Sequence, residues 1–229
     1  FNESPGKEVD FGITTGTAAA AAALAAFLAI KNGNTNFVDI ITPVGTLKIE
    51  VSNSVKLNQY TGTACILKKP YKDPDVTTNI KICARVKIIE RGIIIKGGKG
   101  VGIVTKSGLQ VPVGQPAINH KPMSMIRENL NQVLKDDHGL EVEICVPQGE
   151  KIAKKTMNPR LGIVGGISIL GTTGIARPMS SKAYKESLNC QIDVALAQGY
   201  NDLIFVPGNI GQKLAVKILS AKEDQIVQM

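Results

Sequence analysis

The residues best suited to chemistry in this chain lie in two short motifs rich in threonine and glycine. One motif, residues 14–17, directly precedes a run of alanines, and the other, residues 171–174, follows an apolar run. At the start of a helix, or in the loop after a strand, unpaired backbone N–H groups and hydroxyls converge and hold a phosphate or carboxylate. Each motif also has a structural interpretation, an N-cap for the first and a glycine-rich turn for the second.

Charged side chains that could act beside these motifs lie in two other segments. Asp73 and Asp75 flank a proline and are able to bind a cation, orient a cosubstrate or act as a base, although such sequences more often form turns. Lys99 and Lys106 lie in and after the glycine-rich residues 92–102, where they would meet carboxylates or phosphates. The alternative for this segment is a β-ribbon with solvated lysines.

A protein-bound metal is not expected from the cysteine and histidine content. The chain has four cysteines without a CxxC spacing and only two histidines, which argues against a zinc site. Every cysteine lies in an apolar strand-like or helical pattern, so we expect buried, reduced thiols and a cytoplasmic location. The four are Cys65, Cys83, Cys145 and Cys190.

The composition favours an anionic small-molecule partner over nucleic acid or a membrane. The net charge of +8 attracts anions of any kind. Aromatic residues make up only 4% of the 229 and are scattered, which disfavours the stacking platforms of single-strand binders. The longest uncharged apolar stretch, residues 13–30, is mostly alanine and too weakly hydrophobic to predict a membrane span.

Helix and strand patterns place the first motif in an α+β domain, residues 1–147. The alanine run at residues 18–29 predicts a helix, which Thr15 or Thr17 is able to cap. Alternating patterns predict strands of a mixed or antiparallel sheet, followed by an amphipathic helix. The predicted strands are residues 37–42, 46–51, 64–67, 80–89 and 140–146, and the second helix is residues 122–135.

The second motif falls in a smaller α/β domain, residues 148–229. Its strands should be parallel, because a right-handed crossover joins them in a βαβ unit. Two glycine loops, residues 171–174 and 207–211, would then lie at one edge of the sheet, where small-molecule cosubstrates usually bind. The predicted strands are residues 161–170 and 202–206, and the helices are residues 149–155, 180–198 and the stretch from the second loop to Leu219.

Five separated blocks of the sequence match one known family and occur in the order of that family. They are residues 11–17 with the alanine helix, 73–77, 97–102 with Thr105 and Lys106, 111–114, and 158–174. Together they resemble the CbiD family, the cobalt-precorrin-5B C1-methyltransferases of the anaerobic cobalamin pathway. The resemblance implies transfer of a methyl group from S-adenosylmethionine to C1 of a cobalt corrinoid. The acetate and propionate carboxylates of such a substrate suit a basic protein.

Three features depart from the family's pattern. Members usually have Cys where Ala18 stands and often His where Thr78 stands, so neither side chain can be indispensable. Members also continue well past the position of Met229. We therefore expect the second domain to be truncated at its C-terminus.

The resemblance and the motifs together suggest which residues meet each substrate. We expect S-adenosylmethionine at the two glycine loops and the corrinoid carboxylates at the first motif and the lysines. Asp75 is the candidate to orient or deprotonate near C1, and cobalt arrives inside the substrate. The predicted cosubstrate residues are Gly171, Thr172, Thr173, Gly174, Gly208 and Asn209. The predicted corrinoid residues are Thr14, Thr15, Gly16, Thr17, Lys99 and Lys106.

Two other functions stay open on the sequence. The net charge and the α+β first half fit a nucleic-acid-binding module, whose binding would weaken steeply with salt. A threonine-rich helix N-terminus fits a phosphate-binding kinase, although no Walker lysine follows the glycines. A homo-oligomer also stays open.

Overall fold

A computed structural model describes residues 11–134 and 138–229, so the predicted end of the second helix at residue 135 lies outside the described residues. Helices and strands are mixed throughout, which confirms the α/β class. The helices are α1 (Thr15–Asn32), α2 (His120–Val133), α3 (Gly149–Ala153), α4 (Ser181–Ala197) and α5 (Gly208–Leu219). The strands are β1 (Gly12–Ile13), β2 (Phe37–Thr42), β3 (Gly45–Glu50), β4 (Asn53–Asn58), β5 (Thr61–Leu67), β6 (Lys81–Ile89), β7 (Ile93–Gly97), β8 (Gly100–Val101), β9 (Ile103–Val104), β10 (Gly139–Cys145), β11 (Ile163–Val164), β12 (Gly166–Ile167), β13 (Ile175–Ala176), β14 (Ile204–Val206) and β15 (Ile226–Gln228).

Helix α1 is the centre of the core. It is apolar on all sides, and residues 14–27 are buried without exception, as expected for a helix enclosed by other elements. Its alanines allow close packing on β5, where a Cβ at Gly62 would lie 2.2 Å from the carbonyl oxygen of Ala26. By length and composition α1 could also cross a membrane, but 83% of it is buried inside the protein, which is typical of a core helix.

The main sheet has five strands in the order β4-β5-β6-β10-β7. Neighbours are antiparallel except that β7 runs parallel to β10. This confirms the mixed sheet and the predicted strands β5, β6 and β10. Strand β4 was missed, because only Val55 and Leu57 interrupt its polar sequence.

The predicted strand at residues 161–170 is wrong. The segment forms two short strands instead: β11 pairs with β9, and β12 pairs with β8. Glycines allow this contact, since a Cβ at Gly166 would lie 2.2 Å from the carbonyl oxygen of Gly100. The predicted domain boundary at 147/148 therefore falls between segments that hydrogen-bond to each other, and we propose a boundary after β13.

The C-terminal unit contains α4, β14, α5 and β15. Helices α4 and α5 confirm the predictions, and Ser180 caps α4 by accepting a hydrogen bond from the Ala183 N–H. Strand β14 pairs in parallel with β15, so the βαβ unit runs through α5. The parallel arrangement was predicted, but its partner was predicted wrongly as residues 161–170.

The cysteines also differ from the expectation. Cys65 and Cys83 lie opposite each other on β5 and β6, with Cα atoms 4.0 Å apart, and form a disulfide. Cys145 is half-buried and Cys190 is exposed. The prediction of four buried, reduced thiols is therefore wrong, because spacing along the chain does not reveal which strands pair in register.

Candidate functional site

A cavity of about 210 Å³, here called the central cavity, lies where four separated segments meet. They are the N-terminus of α1, the loop between β5 and β6, the turn after α3, and the chain from β12 to β13. Three of the five sequence blocks thus converge on one space. The lining residues are Thr14, Thr15, Lys68, Asp75, Thr77, Thr156, Asn158, Ile167, Ser168, Leu170 and Ala176.

The N-terminus of α1 is held by the segment that carries the second motif. Thr14 is the N-cap, and its Oγ1 accepts a hydrogen bond from the Thr17 N–H at 3.1 Å. The Gly16 N–H donates to the Leu170 carbonyl at 2.9 Å, and the Thr17 hydroxyl donates to the Gly174 carbonyl at 2.6 Å. We predicted Thr15 or Thr17 as the N-cap, which is wrong, because the N-cap lies one to three residues earlier, at Thr14.

These bonds change the interpretation of the first motif. Thr15 and Thr17 are nearly fully buried, and the N–H groups of Gly16 and Thr17 already have acceptors inside the protein. The motif therefore offers fewer free donors to a ligand than its sequence suggests. Thr14 and Thr15 do line the central cavity, so the positive end of the α1 dipole faces it.

Asp75 lines the central cavity, and four donors surround its carboxylate. The Lys68 ammonium donates at 2.5 Å and the Tyr71 hydroxyl at 3.2 Å to Oδ2. The N–H and the hydroxyl of Thr77 donate to Oδ1 at 2.7 and 2.6 Å. The turn of residues 73–78 thus serves to fix this carboxylate.

The surroundings of Asp75 shift two pKa values. Burial acts to raise the pKa of Asp75, but the hydrogen bonds from Lys68 and Thr77 outweigh it and lower the pKa below the usual 3.8. Burial, followed by the charge of Asp75, raises the pKa of Tyr71 well above its usual range. Asp75 is therefore ionised at neutral pH and weakly basic, which suits orientation better than proton abstraction.

Asn158 and Ser168 form the opposite wall of the cavity. The Ser168 hydroxyl donates to Asn158 Oδ1 at 3.2 Å, and the Asn158 side chain is held within the fold at 7% exposure. The backbone of Asn158 is also fixed, since its carbonyl accepts from the Ile163 N–H at 2.8 Å. The side chain and the backbone of Asn158 are thus each held by one hydrogen bond.

The two predicted lysines do not line the central cavity. Lys99 is exposed on the glycine-rich ribbon. Lys106 lines a second cleft, of about 140 Å³, where its ammonium pairs with Asp224 and approaches the Arg160 carbonyl at 3.4 Å. These lysines and the first motif therefore do not line one cavity, and their contact with corrinoid carboxylates stays a prediction.

The two glycine loops are also separate. Gly171 and Gly174 pack on α1, where a Cβ at Gly171 would lie 2.4 Å from Thr14 Cβ. Gly208 and Asn209 instead contact the C-terminal strand, through the bonds Gly208 N–H to Met229 carbonyl and Gln228 Nε2 to Asn209 Oδ1. The strands that precede the loops belong to different sheets, so the prediction that both loops lie at one sheet edge is wrong. Thr172 and Thr173 are exposed.

Sequence reasoning missed Lys68 and Asn158 as site residues. A signal for Lys68 was present, because residues 62, 64 and 66 alternate inward along β5 and the same period places residue 68 inward. Asn158 opens a glycine-rich stretch but has no pattern that distinguishes it from a turn residue.

Comparisons with known proteins agree with the sequence blocks. The chain is 52% identical over 220 residues to the cobalt-precorrin-5B C(1)-methyltransferase of Methanosphaera stadtmanae, covering 95% of this chain and 58% of that protein. It is 51% identical over 223 residues to the protein of the same name from Methanobrevibacter smithii, covering 95% and 62%. The chain thus spans about three fifths of the length of these curated relatives.

A solved structure is also similar. The crystal structure of a cobalamin biosynthesis protein from Archaeoglobus fulgidus shares 28% sequence identity with a TM-score of 0.56, covering 95% of this chain and 70% of that one. The sequence profile of the CbiD family matches residues 2–178, most of the chain and every segment that lines the central cavity. The chain therefore belongs to the CbiD family.

Proposed function

We propose that this chain forms the greater part of a methyltransferase that moves the methyl group of S-adenosylmethionine to C1 of cobalt-precorrin-5B, with the reaction centre at or beside the central cavity. The observation that carries the proposal is the convergence of three family-like blocks on this cavity. The relatives that are about half identical bear the name of this activity.

Methyl transfer from S-adenosylmethionine depends more on the alignment of the reacting atoms than on acid–base groups. The electron pair of the substrate carbon forms the new bond as the sulfur–methyl bond breaks, which leaves a neutral thioether and passes the positive charge of the sulfonium to the substrate. The sulfonium is already electrophilic, so the protein must mainly hold carbon, methyl and sulfur in line and exclude water. We assign Asp75 an orienting role, because its ionised form is strongly hydrogen-bonded.

The cavity is too small for either whole substrate. Sites for drug-sized ligands have volumes of roughly 300–1,000 Å³, against about 210 Å³ here. The cavity holds one side arm of the corrinoid or one end of S-adenosylmethionine, while the rest of both molecules lies outside the cavity. Exposed Thr172 and Thr173 stay our candidates on the donor side. The net charge of +8 suits a polycarboxylate substrate.

Calorimetry tests the proposal. S-adenosylmethionine and its demethylated product should bind this chain, or this chain joined to the additional residues of the Methanosphaera stadtmanae relative. The joined protein should transfer radiolabelled methyl to the cobalt corrinoid. Absence of binding by both nucleosides in both forms, with and without corrinoid, would refute the proposal.

A further inference from the structure

We infer that the central cavity is a carboxylate-binding subsite in which the side-chain amide of Asn158 is the principal donor. The inference rests on the proposed function for the identity of the ligand, but the donor arrangement is a property of the fold. The carboxylate belongs either to a side arm of the corrinoid or to the methionine end of the methyl donor.

Asn158 is a buried donor with an unused hydrogen bond. Its Oδ1 accepts from Ser168, while Nδ2 donates to no residue within the described ranges. No side-chain nitrogen or oxygen that is fully enclosed in the described structure lacks a partner, so this Nδ2 is not sealed off. Since the residue is only 7% exposed and lines the cavity, the cavity is the space into which the amide can donate.

Three hydroxyl groups of the cavity already donate within the fold. The Thr77 hydroxyl donates to Asp75, the Ser168 hydroxyl to Asn158, and the Thr15 hydroxyl to carbonyls of the β12–β13 segment. Asp75 likewise has four donors and little capacity to bind a ligand cation. A ligand therefore meets an acceptor that is saturated and an amide donor that is free.

One ammonium group and one helix N-terminus lie at the same cavity as that amide. The Lys68 side chain is 1% exposed and donates to Asp75, and an ammonium has three N–H groups. Thr14 and Thr15 place the N-terminus of α1 at the same cavity, where the helix dipole favours negative charge. Asp75 balances Lys68, so the dipole and the free donors decide the preference for a carboxylate.

Paired ligands with and without the carboxylate test the inference on the unaltered protein. Cobyrinic acid is compared with its fully methylated ester, and S-adenosylhomocysteine with its decarboxylated analogue, which keeps the amino group. A hydrogen bond to a charged group contributes about 1.5–3 kcal/mol, so at least one carboxylate-bearing member should bind about tenfold or more tighter than its partner. Equal affinity within both pairs would overturn the inference.

The variant Asn158→Asp locates the effect. It keeps the acceptor for Ser168 but replaces the donor with a negative charge, so the affinity for the carboxylate-bearing ligand should fall about tenfold or more. The affinity for the ester or the decarboxylated analogue should stay unchanged. Asn201→Asp is the charge-matched control, because Asn201 is exposed and does not line the cavity.

The outcomes separate this inference from the proposed function. If a folded Asn158→Asp protein keeps its affinity for both acids, the subsite is wrong while the methyltransferase stands. If neither corrinoid nor S-adenosylhomocysteine binds the wild-type chain or its extended form, the proposed function fails first. Asn158→Ala, which removes the donor without adding charge, gives the same readout should the aspartate variant not fold.

Discussion

Lys68 and Asp75 are an ion pair at the wall of the central cavity, and their burial makes each depend on the other. The Lys68 side chain is 1% exposed and that of Asp75 is 19% exposed. Removing one partner from such a pair leaves a charge in a poorly hydrated site, which is costly. Lys68 also lies over the Tyr71 ring, with 5.2 Å between its Nζ and the ring centroid. The pair therefore ties the 73–78 turn to the end of β5.

Asp75→Asn should lower the free energy of unfolding by about 2–3 kcal/mol at pH 7. Breaking a fully buried ion pair costs about 3–5 kcal/mol, and the cost is smaller here because Asp75 is partly exposed. The folded pKa of Asp75 is below its usual 3.8. Its stabilising effect is therefore complete above the unfolded pKa and is lost as pH falls through the folded value. Urea unfolding of wild type and Asp75→Asn should show a difference in the free energy of unfolding that becomes smaller below about pH 4.

Asp73→Asn is the matched control for this experiment, since Asp73 lies in the same turn and is not one of the groups that bond to Lys68. It should change the free energy of unfolding by less than about 1 kcal/mol. A gap between wild type and Asp75→Asn that does not depend on pH would contradict the assigned ionisation.

Among the elements, the β8–β12 ribbon depends on glycine for a steric reason. A Cβ at Gly100 would lie 1.9 Å from the carbonyl oxygen of Val146, and one at Gly149 would lie 2.0 Å from that of Gly100. Three backbone segments thus approach more closely than side chains allow. This contact, not a ligand, accounts for Gly166 and much of the glycine-rich segment.

Gly166→Ala should therefore destabilise the protein by about 3 kcal/mol, because backbone must shift to admit the methyl group. Gly165→Ala is the neighbouring control: nothing lies within 4 Å of its Cβ, and only its φ of +78° opposes the change, at about 1–2 kcal/mol. In a chain of this size the melting temperature should fall by about 6–12 °C for the first and about half as much for the second. Equal losses would mean that packing is not the cause.

The register of β5 and β6 predicts the redox state of the cysteines. Protein purified without reductant and alkylated in urea should carry two labels, on Cys145 and Cys190, and a peptide pair linked through Cys65 and Cys83. Under native conditions Cys190 should react before Cys145, which is less exposed. Mass spectrometry counts the labels; four labels without reduction would contradict the disulfide.

Across the whole molecule, Arg160 joins the segment that contains Asn158 to the C-terminal unit. Its guanidinium donates to the Ile226 carbonyl at 2.7 Å, to Gln228 Oε1 at 3.3 Å and to Gln212 Oε1. Lys106 and Asp224 add an ion pair across the same cleft. These polar contacts link α5 and β15 to the segment that contains Asn158.

Arg160→Ala should loosen the C-terminal unit without unfolding the core. Hydrogen bonds to a charged donor contribute about 1.5–3 kcal/mol, so amide exchange in β14 and β15 should accelerate at least about tenfold. Exchange in α1 should stay the same. Hydrogen–deuterium exchange with mass spectrometry measures both, with the exposed Arg177→Ala as control. Acceleration spread evenly over the chain would show that Arg160 stabilises the whole fold instead.

Local sequence determined the elements whose formation depends on neighbours in the chain. The alanines after Thr17 form a helix, the 37–51 hairpin follows from alternation around a turn, and Ser180 begins α4. These predictions succeeded because propensity, capping and periodicity act over a few residues.

Tertiary structure alone decided which segments meet. Contacts between residues far apart in the chain decide that residues 163–167 pair with β8 and β9 and that β14 pairs with β15. Such contacts also place Lys106 and Thr14 in different cavities. The same is true of Lys68 and Asn158, whose roles appear only once burial and hydrogen-bond partners are known. A donor becomes significant when the fold removes water from it and leaves it without an acceptor, and neither condition is visible in the order of residues.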